Sequence, residues 1–119
     1  MAKRDPEKVK IAKEREQLTR LLRYGRLKLA DCLDLLTKVP SDSVDLILTD
    51  PPYFQIVRND WDNQWKTEQE YLDWCALWTK ECVRILKPNP CFYVWGISKT
   101  DTFLRYKLDV LNSHPELIY

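Results

Sequence analysis

The 119-residue sequence lacks the features that mark several common classes of protein. It contains a single histidine, and its cysteines form no Cys-x-x-Cys pair, so we expect no metal site. No stretch is long and apolar enough to span a membrane, and the charged N-terminus has no apolar segment of the signal-peptide type. We therefore expect a cytoplasmic protein with no membrane partner, whose cysteines are buried, reduced thiols. These cysteines are Cys32, Cys75, Cys82 and Cys91.

An excess of charge of one sign is also missing, because the net charge is only +1. The distribution is nevertheless uneven: residues 1–28 contain ten Lys or Arg against four Asp or Glu, and residues 29–119 contain nine against fourteen. Good helix formers without glycine predict a helix over residues 6–23. Residues 1–25 are therefore predicted to be a basic helical arm. Its charges suit non-specific contact with phosphates, and a solvated leader helix explains them as well.

One short segment combines an apolar run with an abrupt polar end. Residues 44–49 predict a fully buried strand, and this strand must stop at Asp50 because Pro51 and Pro52 cannot donate to a sheet. Consecutive prolines also stiffen the loop that follows. A carboxylate and the ring of Tyr53 are thus expected at the carboxyl end of a buried strand, where open α/β sheets bind ligands.

The sequence Asp50-Pro51-Pro52-Tyr53 resembles the catalytic motif of the amino-methylating DNA methyltransferases, which methylate adenine N6 or cytosine N4. The resemblance implies that these four residues are catalytic. The Asp50 carboxylate and the Pro51 carbonyl would accept the two N–H groups of an exocyclic amine, whose lone pair then points at the methyl donor. Tyr53 would stack on a base flipped out of double-stranded DNA. A strand followed by a proline-rich turn is the alternative explanation of the same residues.

A second acidic residue is predicted near this motif. Residues 26–30 predict a strand that ends at Asp31, and a helix is predicted from Cys32 to Val39. With the strand before Asp50 they would form a right-handed βαβ unit that brings both carboxylates to one sheet edge. In the family resembled, an acidic residue at this place lies by the adenosine of the donor, S-adenosylmethionine. Asp31, Cys32 and Asp50 are therefore the predicted cofactor-binding residues, and Asp31 also suits a helix N-cap.

The later sequence alternates between helix and strand signals. Residues 54–66 have no apolar period and predict a long loop. Residues 67–70 form a capping box, and an apolar stripe then predicts a helix packed on the sheet. A strand is predicted over residues 91–95 and a final helix over residues 102–111. The stripe consists of Tyr71, Cys75, Trp78, Cys82 and Ile85.

The resemblance spans residues 26–97, because further segments agree in the same order. Trp61-Asp62 follows the motif as in many family members, and residues 84–94 are similar to the family's next segment. There the family usually has a glycine in a turn where this chain has Asn89-Pro90-Cys91. The implied fold class is α/β, a partial Rossmann-like methyltransferase fold with a parallel sheet. Its order would be strand–helix–strand–helix–strand–helix after an N-terminal helix, so residues 26–119 would be a partial catalytic domain.

Glycine is scarce, since Gly25 and Gly96 are the only two. Neither stands in the glycine-containing loop with which the family binds S-adenosylmethionine. The resemblance therefore implies the N-terminal, catalytic half of a DNA methyltransferase, with double-stranded DNA and a complementary chain that carries the donor-binding half as candidate partners. Aspartate at the first motif position favours adenine N6. The alternatives are a cytosine N4 or RNA amino-methyltransferase, methylation of a protein amide, one part of a split enzyme, and an inactive DNA-binding remnant.

Overall fold

The computed structural model describes residues 5–117, apart from the side chains of residues 21 and 22. Residues 1–4 of the predicted arm and residues 118–119 of the predicted domain lie outside the described residues. The chain divides into two compact units, Met1–Ala30 and Asp31–Tyr119. The first contains α1 (Pro6–Tyr24). The second contains α2 (Cys32–Leu36), β1 (Val44–Thr49), a 3₁₀ turn (Asp60–Asp62), α3 (Glu68–Ile85), β2 (Leu86–Val94), α4 (Thr102–Arg105), a π-helical turn (Tyr106–Val110) and a second 3₁₀ turn (Leu111–Ser113).

Local signals explain both ends of α1. The Asp5 side chain accepts a hydrogen bond from the Glu7 N–H at 3.0 Å and so caps the helix. Pro6 occupies the first turn, where no N–H is needed. Gly25 follows the last helical residue in an extended conformation. The helix predicted over residues 6–23 is confirmed.

The strand predicted for residues 26–30 is not formed in the described part of the chain. Leu27 and Leu29 are 73% and 105% exposed. A strand needs a neighbour to bond its N–H and C=O groups, and within residues 5–117 no strand pairs with this segment. The predicted βαβ unit ahead of Asp50 is therefore wrong. Asp31 instead caps α2, because its Oδ1 accepts a hydrogen bond from the Leu33 N–H at 2.8 Å.

Among the described residues, the sheet consists of two parallel strands, β1 and β2. Ile47 pairs with Phe92 and Thr49 pairs with Val94, and the Trp95 N–H extends the ladder by donating to the Thr49 carbonyl at 2.9 Å. Because α3 lies between the strands in sequence, β1, α3 and β2 form a βαβ unit. This unit begins with the strand that precedes Asp50, whereas the predicted unit ended with that strand. This mixed helix and strand unit is consistent with part of a methyltransferase fold. Two strands do not confirm the full Rossmann-like arrangement.

The helix α3 supplies most of the core. Its N-cap is Thr67, whose side chain accepts a hydrogen bond from the Glu70 N–H at 3.2 Å. The Glu70 carboxylate accepts from the Lys66 N–H at 2.8 Å, so the second bond of the predicted capping box is shifted by one residue. The predicted apolar stripe is confirmed, since all of its members are buried. They are Tyr71, Cys75, Trp78, Cys82 and Ile85.

The helical segment after β2 completes this core. Residues 102–111 are helical as predicted, but only the first turn is an α-helix. The Tyr106 hydroxyl shares a 2.8 Å hydrogen bond with the hydroxyl of Thr79, which is fully buried. Gly96 allows a close approach of Phe103, because a Cβ at position 96 would lie 2.1 Å from two atoms of that ring.

The two faces of the sheet differ in their surroundings. Ile47 and Val94 pack against the core. On the other face Leu46, Leu48 and Tyr93 are 48%, 60% and 55% exposed, and none of the described residues covers them. The prediction of a fully buried strand is therefore wrong, because three residues of β1 are exposed and the other three are half-buried. An apolar run indicates that both faces of the strand are suited to burial, but the described residues cover only one of them.

The turn between α3 and the regular part of β2 has the shape that glycine favours. Asn89 has a φ of 57°, in the left-handed region, which asparagine tolerates better than most residues. The strand register slips at this point, since Val44 pairs with Leu86 but Leu46 pairs with Cys91. Asn89 thus adopts a conformation that glycine takes at no steric cost.

The cysteines agree with the predicted buried thiols in two cases out of four. All are free; Cys75 and Cys82 are buried, whereas Cys32 and Cys91 are exposed. Burial raises the pKa of Cys75 to about 12 and that of Cys82 to about 12. The prediction is wrong for the other two: their sequence neighbours Leu33 and Phe92 pack against the core, but the cysteines themselves are exposed.

Candidate active site

The four motif residues lie where β1 ends. The strand stops at Thr49, Asp50 follows it, and the two prolines then carry no N–H with which to continue the ladder. Asp50 is exposed, and the next three residues are half-buried. All four line an open pocket of about 500 Å³, a volume typical of small-molecule sites. The remaining lining residues are Ile56, Val57, Trp61, Asp62 and Ile97.

Asp50 and Tyr53 are hydrogen-bonded to each other. The Tyr53 hydroxyl donates to Asp50 Oδ1 at 2.7 Å. This bond is the main cause that raises the pKa of Tyr53, because the carboxylate stabilises the protonated phenol; partial burial adds to it. Tyr53 is therefore a neutral donor at physiological pH. An ionised carboxylate can accept several hydrogen bonds, so Asp50 retains capacity for a ligand's N–H group.

Asp62 anchors the loop after the motif. It is 2% exposed; its Oδ1 accepts a hydrogen bond from the Tyr53 N–H at 3.0 Å and its Oδ2 accepts one from the Val57 N–H at 3.1 Å. Its backbone carbonyl accepts a third bond from the Gln55 N–H at 2.9 Å. Trp61, in contrast, is 58% exposed and forms part of the pocket wall. The Trp61-Asp62 pair was the available sequence signal, but it did not identify the aspartate as the anchor.

Tyr71 contacts the motif from α3. It is 6% exposed, and its hydroxyl donates to the Pro52 carbonyl at 3.0 Å. Burial raises the pKa of Tyr71 above its ordinary value, so the hydroxyl is a neutral donor. Sequence periodicity placed this residue in the core, which is correct. Periodicity does not show that a buried ring also reaches a loop with its hydroxyl.

The residues predicted to bind the donor are not gathered in the pocket. Asp31 and Cys32 stand at the start of α2, and neither lines the pocket that contains Asp50. One oxygen of Asp31 accepts the Leu33 N–H, as an N-cap does.

Residues 5–117 contain neither a metal-ligand cluster nor a membrane-spanning helix. No cluster of three or more His, Cys, Asp or Glu residues in that range could hold a metal ion. None of the helices there is both long and apolar enough to cross a bilayer.

Comparison with known proteins identifies the family to which the chain belongs. The family model N6_N4_Mtase, described as DNA methylase, matches residues 44–114 and so includes the motif, the anchored loop, α3 and β2. The chain belongs to the DNA methylase family. The match begins at Val44, so Asp31 and Cys32 lie outside it. No solved structure matches this chain.

Curated relatives of the chain are named type II methyltransferases. M.BamHI of Bacillus amyloliquefaciens is 36% identical over 83 residues, which are 67% of this chain and 19% of that protein. M.HinfI of Haemophilus influenzae is 35% identical over 80 residues, 56% of this chain and 22% of that protein. M.BglII of Bacillus subtilis is 33% identical over 81 residues, 67% of this chain and 22% of that protein. The chain thus spans about one fifth of the length of these relatives.

Proposed function

We propose that this chain is the catalytic part of an S-adenosylmethionine-dependent, site-specific DNA methyltransferase. Its substrate would be the N6 amine of an adenine that is flipped out of double-stranded DNA. The observation that carries the proposal is the pocket at the end of β1, which is lined by Asp50, Pro51, Pro52 and Tyr53. The family match and the names of the relatives support it.

The proposed catalysis is positioning of a weak nucleophile. The lone pair of an exocyclic amine is delocalised into the base, so the nitrogen reacts poorly unless its geometry changes. The Asp50 carboxylate and the Pro51 carbonyl would each accept one N–H, drawing the nitrogen toward tetrahedral geometry and turning the lone pair outward. Because Tyr53 already fixes one oxygen of Asp50 at 2.7 Å, the carboxylate is oriented before a base arrives.

The described residues do not form a complete site for the methyl donor. Asp31 and Cys32 are kept as candidates for contact with its adenosine, and Asp31 Oδ2 is available because the helix cap uses Oδ1. Neither residue shares the pocket of Asp50, and the only glycines of the chain are Gly25 and Gly96. We therefore assign the donor-binding half to sequence outside these residues, in the same protein or in a complementary chain, acting with this one on cytoplasmic DNA.

The first experiment compares the chain alone with the chain supplied with a donor-binding half. The coding DNA beyond Tyr119 and in the adjacent gene is read for a glycine-rich loop, and the protein so completed is expressed. If none is found, the corresponding part of M.BamHI is joined to this chain. Transfer of a labelled methyl group to DNA is expected from the completed protein. The isolated chain is expected to bind the donor weakly and to transfer nothing, and measurable turnover by it would contradict this division.

The second experiment tests the role of Asp50 in the completed protein. Asp50→Ala should lower methyl transfer by about a hundredfold or more, because a preorganised acceptor is lost, while DNA binding changes little. Asp34→Ala removes an exposed carboxylate of α2 and is the matched control. If both variants transfer methyl groups at the same rate, Asp50 is not catalytic. If the unsubstituted completed protein transfers no methyl group and binds DNA as well as its Asp50→Ala variant does, the result supports a non-catalytic remnant.

Analysis of the methylated nucleosides identifies the base. N6-methyldeoxyadenosine is the expected product. N4-methyldeoxycytidine would assign the chain to the cytosine enzymes of the family, and a product found only in RNA would exclude DNA as the substrate.

A further inference from the structure

The peptide group between Pro52 and Tyr53 is held at both of its polar atoms. The Tyr71 hydroxyl donates to the Pro52 carbonyl at 3.0 Å, and the Tyr53 N–H donates to Asp62 Oδ1 at 3.0 Å. A trans peptide is planar, and its C=O and N–H point in opposite directions. The side chains of Tyr71 and Asp62 therefore hold one peptide plane from opposite sides. We call this pair, Asp62 and Tyr71, the peptide clamp.

The buried side chain of Asp62 depends on this loop for its hydrogen bonds. A buried carboxylate is unfavourable unless it is hydrogen-bonded or paired with a cation. In the described part of the chain no Lys, Arg or His lies within ion-pair distance of Asp62. Its charge is stabilised by the backbone N–H groups of Tyr53 and Val57, as charge-assisted hydrogen bonds allow.

A strained residue lies within the segment that Asp62 holds. Gln55 has a φ of 52°, in the left-handed region that is unfavourable for residues with a Cβ. Its N–H donates to the Asp62 carbonyl at 2.9 Å, so Asp62 also supports this conformation. Strain of this kind persists where the surroundings over-determine a backbone, which is common beside functional sites.

Proline chemistry extends the effect of the clamp to the neighbouring carbonyl. The ring of Pro52 restricts its own φ to about −65°. The clamp holds the plane of the Pro52–Tyr53 peptide, so ψ of Pro52 is the one soft dihedral angle left between this plane and the peptide that carries the Pro51 carbonyl. The chain before the prolines is held as well, because the Thr49 carbonyl accepts a hydrogen bond from the Trp95 N–H at 2.9 Å. The clamp on one side and the sheet on the other therefore restrict the orientation of the Pro51 carbonyl.

On the basis of the function proposed above, we infer that Asp62 and Tyr71 are positioning residues for amine methylation. They hold the Pro52–Tyr53 peptide so that the Pro51 carbonyl and the Tyr53 ring face the base. Their effect reaches the reaction through the motif.

The first variant pair tests the acidic side of the clamp in the chain itself. The N–H groups of Tyr53 and Val57 bond different oxygens of Asp62, and Asp62→Asn replaces one of these oxygens by an NH2 group that cannot accept a hydrogen bond. Asp60→Asn removes an exposed carboxylate from the same 3₁₀ turn and is the matched control. Amide exchange measured by NMR should accelerate at Tyr53 or Val57 by about tenfold or more in Asp62→Asn and stay unchanged in the control. Unchanged exchange at both amides would overturn the inference.

The second pair tests the other side without changing charge. Tyr71→Phe removes only the hydroxyl that bonds Pro52. Tyr106→Phe, the control, removes another buried hydroxyl that bonds Thr79. In protein labelled with ¹³C at proline carbonyls, the Pro51 signal should shift in Tyr71→Phe and not in Tyr106→Phe. A Pro51 signal unchanged by loss of the Tyr71 hydroxyl would overturn the inference.

Methyl transfer by the completed protein separates positioning from a merely structural role. The variants Asp62→Asn and Tyr71→Phe should each lower kcat by about tenfold to a hundredfold, with KM for the donor within about twofold of the original, because misplacing a reacting group slows the chemical step. Variants of Asp60 and Tyr106 should keep the original kcat. If the clamp variants keep it too, the inference fails while the proposed function stands. If the unsubstituted completed protein transfers nothing, the proposed function fails and the inference fails with it.

Discussion

Replacing Gly96 by alanine should destabilise the fold through a single contact with Phe103. The new Cβ would lie 2.1 Å from Cδ2 and Cε2 of the ring and 2.5 Å from Cζ. Carbon atoms in good contact are about 3.5–4.0 Å apart, so the ring must move by more than about 1 Å. Overpacking of this kind costs about 1–3 kcal/mol. Gly96 has no positive φ, so the backbone itself accepts alanine, which would otherwise stabilise the fold by about 0.4–1 kcal/mol through the unfolded state.

The net expectation for Gly96→Ala is a loss of about 1–2 kcal/mol in the free energy of unfolding, measured by urea denaturation. A double-mutant cycle with Phe103→Ala isolates the cause, since it removes the ring that the new methyl group meets. In that background Gly96→Ala should be neutral or mildly stabilising. If alanine at position 96 costs the same with and without the ring, the clash is not the reason and the argument is refuted.

Three further predictions concern the stability of the second unit, measured by urea denaturation. Asn89→Ala should cost about 1–2 kcal/mol because φ is 57°, whereas Asn89→Gly should be tolerated; equal effects would contradict the role of the left-handed turn. Thr67→Ala should cost about 1 kcal/mol through loss of the N-cap of α3, and unchanged stability would mean that the cap is not formed in solution. Raising the pH from about 9 to 12 should reduce stability, because burial raises the pKa of Cys75 and of Cys82 from 9.0 to about 12. Below pH 9 the folded and unfolded states both keep these protons and the stabilisation is complete; above it the slope should reach about 1.4 kcal/mol per pH unit for each thiol. Replacing both cysteines by alanine should make the curve less steep, and the slope that remains includes the contribution of Tyr71 and Tyr53, whose pKa values are also raised.

Sequence reasoning succeeded where the determining interactions are local. The buried stripe of α3 follows from the regular period of an α-helix. The N-cap Thr67 bonds the N–H of a residue in the first turn of the same helix. The end of β1 just before Asp50 follows from the prolines alone. These signals sufficed to place the motif at the end of a strand.

It failed where a distant partner decides the outcome. Residues 26–30 have the composition of a strand, but in the described structure no neighbour accepts their hydrogen bonds. Leu46 and Leu48 have the composition of a core, but the covering layer on their side of the sheet is not supplied by the described residues. Composition states what a segment is suited to bury, and only the three-dimensional neighbours determine what is buried.

The position of the motif residues was predictable from the sequence, but the residues that support the motif were not. In the proposed function, the chemistry of an amine explains why a carboxylate and a carbonyl would be needed together at Asp50 and Pro51. No local rule distinguishes Asp62 from the exposed Asp60 two positions earlier, since both belong to one 3₁₀ turn. Their difference in burial arises from the way the loop folds back onto Tyr53.

The parallel pairing of β1 with β2 also has a consequence for the order of folding. Thr49 acquires its partner Val94 only after the chain has crossed the whole of α3, so a long loop must close before the sheet gains its bonds. Helix formation within α3 requires no such closure and is intrinsically faster. Asp50 therefore reaches its final environment late, and conditions that interrupt folding would leave the helix formed while the carboxylate still lies on an unpaired strand.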